Sequence, residues 1–201
     1  KIISVAEALY VDDKRYLEKI FNQKIHQVYQ CNEGFLAHTC KYGNLHFNED
    51  FLIIEKQYLD KEKKRFFPII TDLKRTTQPI IRYKLDDIIH EKFDCPCGLK
   101  STAIEMVEGR NDDVLKLINN EGKIVLVFPD FIRRAIVFSD KNIFNYSVTQ
   151  KEKNLINLFI DGENLQYENA KKSIIELLKT LEIEGVKITR SKNLDHVKGT
   201  K

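Results

Sequence analysis

The sequence has no apolar run that approaches the roughly 20 residues needed to span a bilayer. Its first residues, KIISVAEALY, lack the basic segment and following apolar segment of a secretory signal. It also lacks charge of one dominant sign, since 33 basic and 30 acidic residues leave a net charge of +3. That balance favours neither nucleic acid nor an anionic membrane as a partner. We therefore expect a cytoplasmic protein that binds neither.

Cysteine is too scarce for a disulfide framework, with four in 201 residues, and reduced thiols or a metal site suit a reducing compartment. Cys95 and Cys97 are separated by one proline on a tight turn, and Cys40 and His46 lie on strand-like segments. Three thiols and an imidazole fit a closed tetrahedral zinc site, which would add stability by closing long loops. Two alternatives stay open. His38 alternates with Cys40 on one side of a strand and competes as a ligand, or the thiols are small buried groups without a metal.

The first half of the chain predicts a strand-rich domain. The opening IISVAEAL is typical of a buried strand, and because it begins directly at Lys1 we expect the chain to be a fragment of a longer protein. Residues 11–21 carry apolar positions at helical spacing, and a second strand follows at residues 25–29. From residue 35 to residue 92, strand-like runs alternate with charged turns. This pattern predicts a mostly antiparallel, twisted sheet or partial barrel.

After Arg110 the pattern changes to a mixture of helices and strands. KIVLVFP predicts a strand, and FIRRAIVF predicts a short helix after a Pro-Asp start signal. NIFNYSVTQ and KNLINLFIDG predict two further strands, residues 167–181 an amphipathic helix, and VKITR a last strand. The order β-α-β-β-α-β is the split βαβ arrangement of a ferredoxin-like domain. The fold class is therefore α+β, with one domain over residues 1–111 and a smaller one over residues 112–201.

Three short motifs could carry chemistry. YQCNEG follows the second predicted strand, TDLKRTTQPIIRYKLDD ends in two adjacent acids, and EGRNDDVLKL lies at the change of pattern between the two halves. Each has a purely structural interpretation as well: a turn with one exposed glutamate, a pair of solvated acids at a strand end, and a salt-bridged turn. A carboxylate is suited to vicinal hydroxyls, however, because it accepts two charge-assisted hydrogen bonds.

The order of these motifs, with the Cys-Pro-Cys pair between the second and third, resembles the C-terminal half of adenylate-forming enzymes. The resemblance is closest to phenylacetate–CoA ligase and its relatives, the coenzyme F synthetases and capsule-biosynthesis adenylate-forming proteins. It implies that residues 1–111 are the C-terminal part of a large ATP-binding domain and that residues 112–201 are a mobile lid. It also favours zinc at Cys40, His46, Cys95 and Cys97, because CPCG ahead of the GR turn is characteristic of these relatives.

The resemblance implies a role for individual residues. Tyr29 would stack on adenine, Asn32 stands where the family has a hydroxyl residue, and Glu33 would help to hold Mg²⁺ on ATP. Asp87 would bind the ribose hydroxyls, with Asp86 as the alternative because the family's Thr-Gly pair is replaced.

Three more residues receive roles in the same way. Arg110 would contact the ribose or phosphate, and Asp112 would be the hinge of the lid. The catalytic lysine would be Lys201, with Lys198 nearby as the alternative.

The activity implied for the parent protein is that of an acid–thiol ligase. ATP and a carboxylic acid would give an acyl-adenylate, which leaves AMP when coenzyme A or another acceptor takes the acyl group. The family's glycine- and hydroxyl-rich phosphate loop is absent from this sequence, so we expect the N-terminal part of the same enzyme to supply it. The isolated chain would then be inactive. The alternative is a zinc-stabilised binding module without catalysis, which the departures at Asn32, Leu85 and Asp86 favour.

Overall fold

The computed structural model describes residues 1–6 and 8–192, and the chain divides into two units, Lys1–Asn111 and the residues from Asp112 onward. The architecture is strand-rich α+β, which confirms the predicted fold class. No helix within these described ranges is long and apolar enough to span a membrane.

The first unit consists of one nine-stranded sheet and one helix. Its elements are β1 (Ile2–Ser4), α1 (Val11–Phe21), β2 (Ile25–Cys31), β3 (Gly34–Thr39), β4 (Leu45–Phe47), β5 (Leu52–Tyr58), β6 (Arg65–Asp72), β7 (Tyr83–Lys84), β8 (Asp87–Lys92) and β9 (Ala103–Arg110). The strand order is β1-β2-β3-β4-β9-β8-β6-β5, and β7 pairs with β6. Only β1 and β2 are parallel among these strands. The predicted antiparallel sheet is therefore confirmed.

The core of this sheet forms because apolar residues recur at every second position of its strands. Phe47, Phe66, Ile70 and Ile89 are fully buried in one cluster together with Leu36. The residues between them point away from this cluster, so polar side chains can collect on the opposite face and at the strand ends.

Helix α1 has the bounds that the sequence pattern predicts, but none of its residues is buried. Tyr16, Ile20 and Phe21 are 65%, 56% and 50% exposed. Helical spacing of apolar residues normally marks a face that packs on other protein. Within the described residues, that face of α1 has little to pack against.

One turn of 3-10 helix (Asn111–Asp113) spans the division between the units, and the second unit follows. It contains β10 (Leu115–Ile118), β11 (Ile124–Val127), α2 (Pro129–Val137), β12 (Tyr146–Glu152), β13 (Leu155–Ile160), α3 (Asn164–Thr180) and β14 (Lys187–Arg190). The predicted order β-α-β-β-α-β is present from β11 to β14. Strand β10 precedes this series and was not predicted.

The strand pairing departs from the split arrangement of a ferredoxin-like domain. There the first strand of the series would lie between the third and the fourth, whereas here β13 pairs directly and in parallel with β14, and β11 pairs with β10 in a separate hairpin. Two side-chain amides, one on β12 and one in the turn between β12 and β13, tie the hairpin to these strands. Gln150 bonds both the N–H and the C=O of Lys116, and Asn154 does the same at Ile118.

Candidate functional site

Three of the predicted nucleotide contacts converge at one end of the first sheet, and we call Tyr29, Asp87 and Arg110 the Asp87 cluster. Strands β8 and β9 are antiparallel, and their register places Asp87 directly opposite Arg110. The Arg110 Nε lies 3.7 Å from the Asp87 Oδ1. From β2, the Tyr29 hydroxyl donates a hydrogen bond of 2.6 Å to the Asp87 Oδ2. The acid is thus held between a phenol and a guanidinium.

The polarity of the Asp87 cluster suits a polyhydroxyl or anionic ligand. Burial, and after it the Asp87 carboxylate, raise the pKa of Tyr29 well above its usual value, so this phenol stays protonated and donates. The Asp87 side chain keeps 20% exposure and that of Arg110 keeps 59%. A carboxylate acceptor and a guanidinium donor therefore meet solvent side by side, as recognition of a sugar phosphate requires.

The neighbouring acid Asp86 is placed differently. It is exposed, and its backbone carbonyl accepts a hydrogen bond of 2.8 Å from the Asn111 N–H. Asp87 is the acid whose side chain bonds Tyr29. The geometry thus favours Asp87 over Asp86 as the ligand-binding carboxylate.

Asn32 and Glu33 form the two-residue turn that joins β2 to β3. Burial alone would raise the pKa of Glu33, but hydrogen bonds from Cys31, from its own backbone N–H and from Tyr83 outweigh that effect and lower the pKa. Glu33 is therefore an oriented anion. Asn32 is exposed, and its carbonyl accepts a hydrogen bond of 2.8 Å from Arg75.

Two further predicted residues lie elsewhere. Asp112 is exposed within the single 3-10 turn and is the first residue of the second unit. Lys201, like its alternative Lys198, lies outside the described residues.

The second candidate site is formed by Cys40, His46, Cys95 and Cys97, which we call the Cys3His cluster. Their potential ligand atoms all lie within 4.8 Å of one another. The Cys40 and Cys95 sulfurs are 3.8 Å apart, and the Cys97 sulfur is 3.4 Å from the His46 Nε2. Zinc–sulfur bonds of about 2.3 Å give a tetrahedral edge of about 3.8 Å, so the spacing of the donors fits zinc.

The surroundings of the Cys3His cluster also suit a metal. The His46 Nδ1 lies 3.1 Å from the Ser101 carbonyl. A proton on Nδ1 bonds this carbonyl and leaves the lone pair of Nε2 directed toward the thiols, where it can bind a metal. Asn44 donates to the Cys95 sulfur at 3.2 Å. Burial alone would raise the pKa of Cys95, but hydrogen bonds, the largest effect being that of the Cys97 backbone N–H, lower it to about 6. A thiolate, the form that binds metals, is thus present at neutral pH.

Two left-handed glycines shape the loops that carry these thiols. Gly43, with φ of +79°, closes the turn in which its N–H bonds the Cys40 carbonyl, and Gly98, with φ of +82°, follows Cys97. A residue with a Cβ would be strained at either position. The competing ligand His38 is outside the cluster, because it is exposed and bonds Asn48.

Sequence reasoning missed several residues that support both sites. Arg75 and Tyr83 contact the Asn32–Glu33 turn, while Asn44 and Ser101 contact the Cys3His cluster. None of them lies in a local motif whose spacing points to such a role. Arg75 is separated from Asn32 by 43 positions, so only the folded sheet reveals the contact.

Solved structures with the same architecture include 2-hydroxyisobutyryl-CoA ligase in complex with an acyl-AMP, with a TM-score of 0.66, 16% identity and coverage of 94% of this chain and 44% of that one. The anthranilate CoA ligase AuaEII, in complex with anthranoyl-AMP, has a TM-score of 0.57, 13% identity and coverage of 97% and 41%. The A domain of carboxylic acid reductase from Segniliparus rugosus, in complex with AMP, has a TM-score of 0.56 and 12% identity, with coverage of 97% of this chain and 34% of that one. The chain has the fold of adenylate-forming ligases.

Sequence comparison finds a relative of known name. The protein CapK of Staphylococcus aureus is 27% identical over 165 residues, which cover 76% of this chain and 35% of CapK. No protein-family model matches the sequence. The chain spans less than half the length of the relatives that it matches.

Proposed function

We propose that this chain is the C-terminal portion of an ATP-dependent, carboxylate-activating enzyme of the acid–thiol ligase type, related to phenylacetate–CoA ligase and its capsule-biosynthesis relatives. The observation that carries the proposal is the Asp87 cluster, in which an acid, a phenol and a guanidinium meet on an adenylate-forming fold. Each of the three belongs to a different motif of the sequence.

In this proposal the nucleotide lies across the Asp87 cluster. Asp87 accepts hydrogen bonds from the two ribose hydroxyls, Arg110 contacts the ribose or the phosphate, and the Tyr29 ring lies against adenine while its hydroxyl fixes the acid. Glu33 would hold the Mg²⁺ that accompanies ATP, a role that a single oriented carboxylate can fill beside phosphate oxygens. A cation held there by Glu33 would supply neutralisation of the phosphate charge.

The overall reaction has two balanced steps. A carboxylate oxygen of the acid attacks the α-phosphorus of ATP, which forms the acyl-adenylate and releases pyrophosphate. A thiol such as that of coenzyme A, or another acceptor, then attacks the acyl carbonyl and releases AMP. In the related family a lysine of the lid acts in the first step and the lid turns at an aspartate, and we assign these roles to Lys201 and Asp112. Positioning and charge stabilisation carry such steps.

We propose that the chain alone is inactive, because residues of the same protein outside it complete the pocket. The exposed apolar face of α1, formed by Tyr16, Ile20 and Phe21, supports this proposal, since a soluble enzyme would normally cover such a face. The incomplete coverage of the relatives supports it as well.

The decisive experiment measures pyrophosphate release by the full-length protein, with ATP, Mg²⁺ and a panel of carboxylic acids, in the presence and absence of coenzyme A. We expect release that depends on the acid, and AMP formation once the acceptor is present. The isolated chain should bind ATP weakly and release nothing. Turnover by the isolated chain would contradict the proposal that the chain is an inactive fragment. A full-length protein that releases no pyrophosphate with any acid would favour a binding module without catalysis.

The alternative is a binding module stabilised by zinc, which the Cys3His cluster favours independently of the nucleotide. We propose that Cys40, His46, Cys95 and Cys97 hold Zn²⁺, because the spacing of the ligand atoms, the lone pair of the His46 Nε2 and the lowered pKa of Cys95 all fit it. The ion would close the two loops with no open position for chemistry. Elemental analysis of the purified chain tests this assignment, and the expected result is one zinc per chain.

A further inference from the structure

The turn that carries Glu33 is held from outside by two residues of the segment that links β6 to β7 and begins β7. The Arg75 Nη1 donates a hydrogen bond of 2.8 Å to the Asn32 carbonyl. The Tyr83 hydroxyl bonds the Glu33 carboxylate, and the Arg75 charge also acts on it. A two-residue turn at a sheet end would otherwise be fixed only by its own strand pairing.

Arg75 is itself held in place. The Asp72 Oδ1, at the end of β6, accepts hydrogen bonds from the backbone N–H groups of Lys74 at 2.8 Å and Arg75 at 3.1 Å. This closes a tight turn, as aspartate side chains commonly do. The turn fixes the start of the Arg75 side chain, so that its guanidinium reaches the Asn32 carbonyl across 43 residues of sequence.

Glu33 receives fewer hydrogen bonds than its carboxylate can accept. An ionised carboxylate offers roughly four acceptor positions, and Cys31, the Glu33 backbone N–H and Tyr83 donate to Glu33. The acid is therefore oriented and can still bind a cation. Magnesium commonly takes a single oxygen from such an acid, with phosphates and waters completing its shell.

We propose that Arg75 is a positioning residue for magnesium–nucleotide binding, which fixes the Asn32–Glu33 turn so that the Glu33 carboxylate is oriented to bind the metal. The inference rests on the proposed function, because it deepens the role given there to Glu33. Tyr83 orients the carboxylate, and Arg75 holds the backbone beneath it. Arg75 touches neither the acid substrate nor the reacting atoms.

The test compares Arg75→Gln with the same change at Arg82 in the full-length protein. Arg82 lies in the same segment, but its guanidinium donates a bidentate pair of hydrogen bonds, of 2.8 and 2.9 Å, to the carboxylate of the half-exposed Glu55. This contact lies away from the Asn32–Glu33 turn. We measure the Mg²⁺ concentration that gives half-maximal pyrophosphate release at fixed ATP. Arg75→Gln should raise it about 10-fold, the usual cost of losing a residue that supports a metal ligand. Arg82→Gln should leave it unchanged.

Conservative replacement and hydrogen exchange separate positioning from misfolding. Arg75→Lys keeps a charged donor but not the planar fork, and should raise the Mg²⁺ requirement only about 3-fold. Amide exchange at residues 31–35 of Arg75→Gln should become faster, while exchange in β8 and β9 stays as in the unaltered protein. Faster exchange throughout the first unit would mean general loosening and would overturn the inference.

Glu33→Gln distinguishes failure of the inference from failure of the proposed function. If Glu33→Gln raises the Mg²⁺ requirement and Arg75→Gln does not, Arg75 has no positioning role and the function stands. If Glu33→Gln leaves the requirement unchanged, the magnesium role of Glu33 is wrong, and the role of Arg75 falls with it.

Discussion

The Cys3His cluster is the more enclosed of the two sites, since His46 is only 1% exposed, Cys40 only 7%, and Cys95 and Cys97 are partly buried, whereas in the Asp87 cluster the Arg110 side chain is 59% exposed. The Cys3His cluster combines one strand of the sheet with the loops that follow β3 and β8, while the Asp87 cluster is built on three strands of that sheet. In the first, the donor atoms face one another and their hydrogen-bond partners lie within the same loops. In the second, the polar groups meet at a sheet end and remain open to solvent.

The difference shows how each site would use its ligand. Bringing three thiols and an imidazole together without a metal costs chain entropy and leaves polar groups half satisfied, so an ion bound there would contribute to folding. The Asp87 cluster already has its internal partners and needs nothing to stay folded. Its ligand would therefore affect affinity and turnover, and the fold only slightly.

Metal removal should show the largest effect. Incubation of the purified chain with a strong chelator should release zinc and lower the Tm by about 10 °C, because the loss of a few kcal/mol shifts Tm by several degrees in a protein of this size. Elemental analysis and a thermal unfolding curve measure the two quantities. Addition of ATP and Mg²⁺ should leave the Tm of the isolated chain almost unchanged.

Cys31 provides a matched control for this prediction, since it is the one cysteine outside the Cys3His cluster. Cys95→Ser should lose the metal and reproduce the chelated Tm, while Cys31→Ser should keep both. Equal metal content in the two variants would refute the assignment of the ligands.

Replacing the acid of the Asp87 cluster should give the next largest effect. Asp87→Asn keeps the size of the side chain and an acceptor for Tyr29, but it loses the charge that strengthens hydrogen bonds to vicinal hydroxyls. We expect ATP affinity in the full-length protein to fall about 10- to 100-fold, which corresponds to about 1.5–3 kcal/mol. Titration calorimetry measures it. Asp86→Asn is the control, and an equal loss there would move the ribose role to Asp86.

Local sequence patterns predicted where the helices and strands of this chain lie better than they predicted which of these elements contact one another. The bounds of α1 followed from the 3.6-residue spacing, which is a property of the segment itself. Its exposure did not, because burial depends on what packs against the helix. In the same way, the β-α-β-β-α-β order was visible in the sequence. The β10–β11 hairpin and the β13–β14 pairing depend on contacts that the order does not determine.

The two sites show the same limit. The sequence motifs identified Asp87 and Arg110 as separate candidates. Their contact depends on the pairing register of β8 and β9, which is shifted by two irregularities between Asp87 and Lys92. A slip of one residue would turn one of the two side chains to the other face of the sheet. The four candidate metal ligands could be grouped from residue type alone, because few other arrangements use three thiols and an imidazole. Their supporting residues, Asn44 and Ser101, could not.

Asn44→Ala tests how far the Asn44 side chain supports metal binding by the Cys3His cluster. The change removes the hydrogen bond to the Cys95 sulfur, and zinc affinity should fall about 10-fold, as it does when such supporting contacts are lost elsewhere. Competition with a fluorescent zinc chelator measures the affinity. ATP affinity of the full-length protein should be unchanged, because Asn44 does not contact the Asp87 cluster. A change in ATP affinity alone would contradict the independence of the two sites.

The smallest effect should come from Tyr29→Phe, which tests how far the Tyr29 hydroxyl supports ligand binding by the Asp87 cluster. The ring stays, with its edge-on contact to Phe47 at a centroid distance of 6.4 Å, and only the hydrogen bond to Asp87 is lost. A net loss of about 1 kcal/mol predicts ATP binding about 5-fold weaker, measured by calorimetry on the full-length protein. Tyr58→Phe, which removes a comparable hydroxyl bond to Glu91, is the control and should change nothing. A loss larger than that of Asp87→Asn would mean that the phenol binds the nucleotide directly, because fixing the acid alone cannot contribute more than the acid itself.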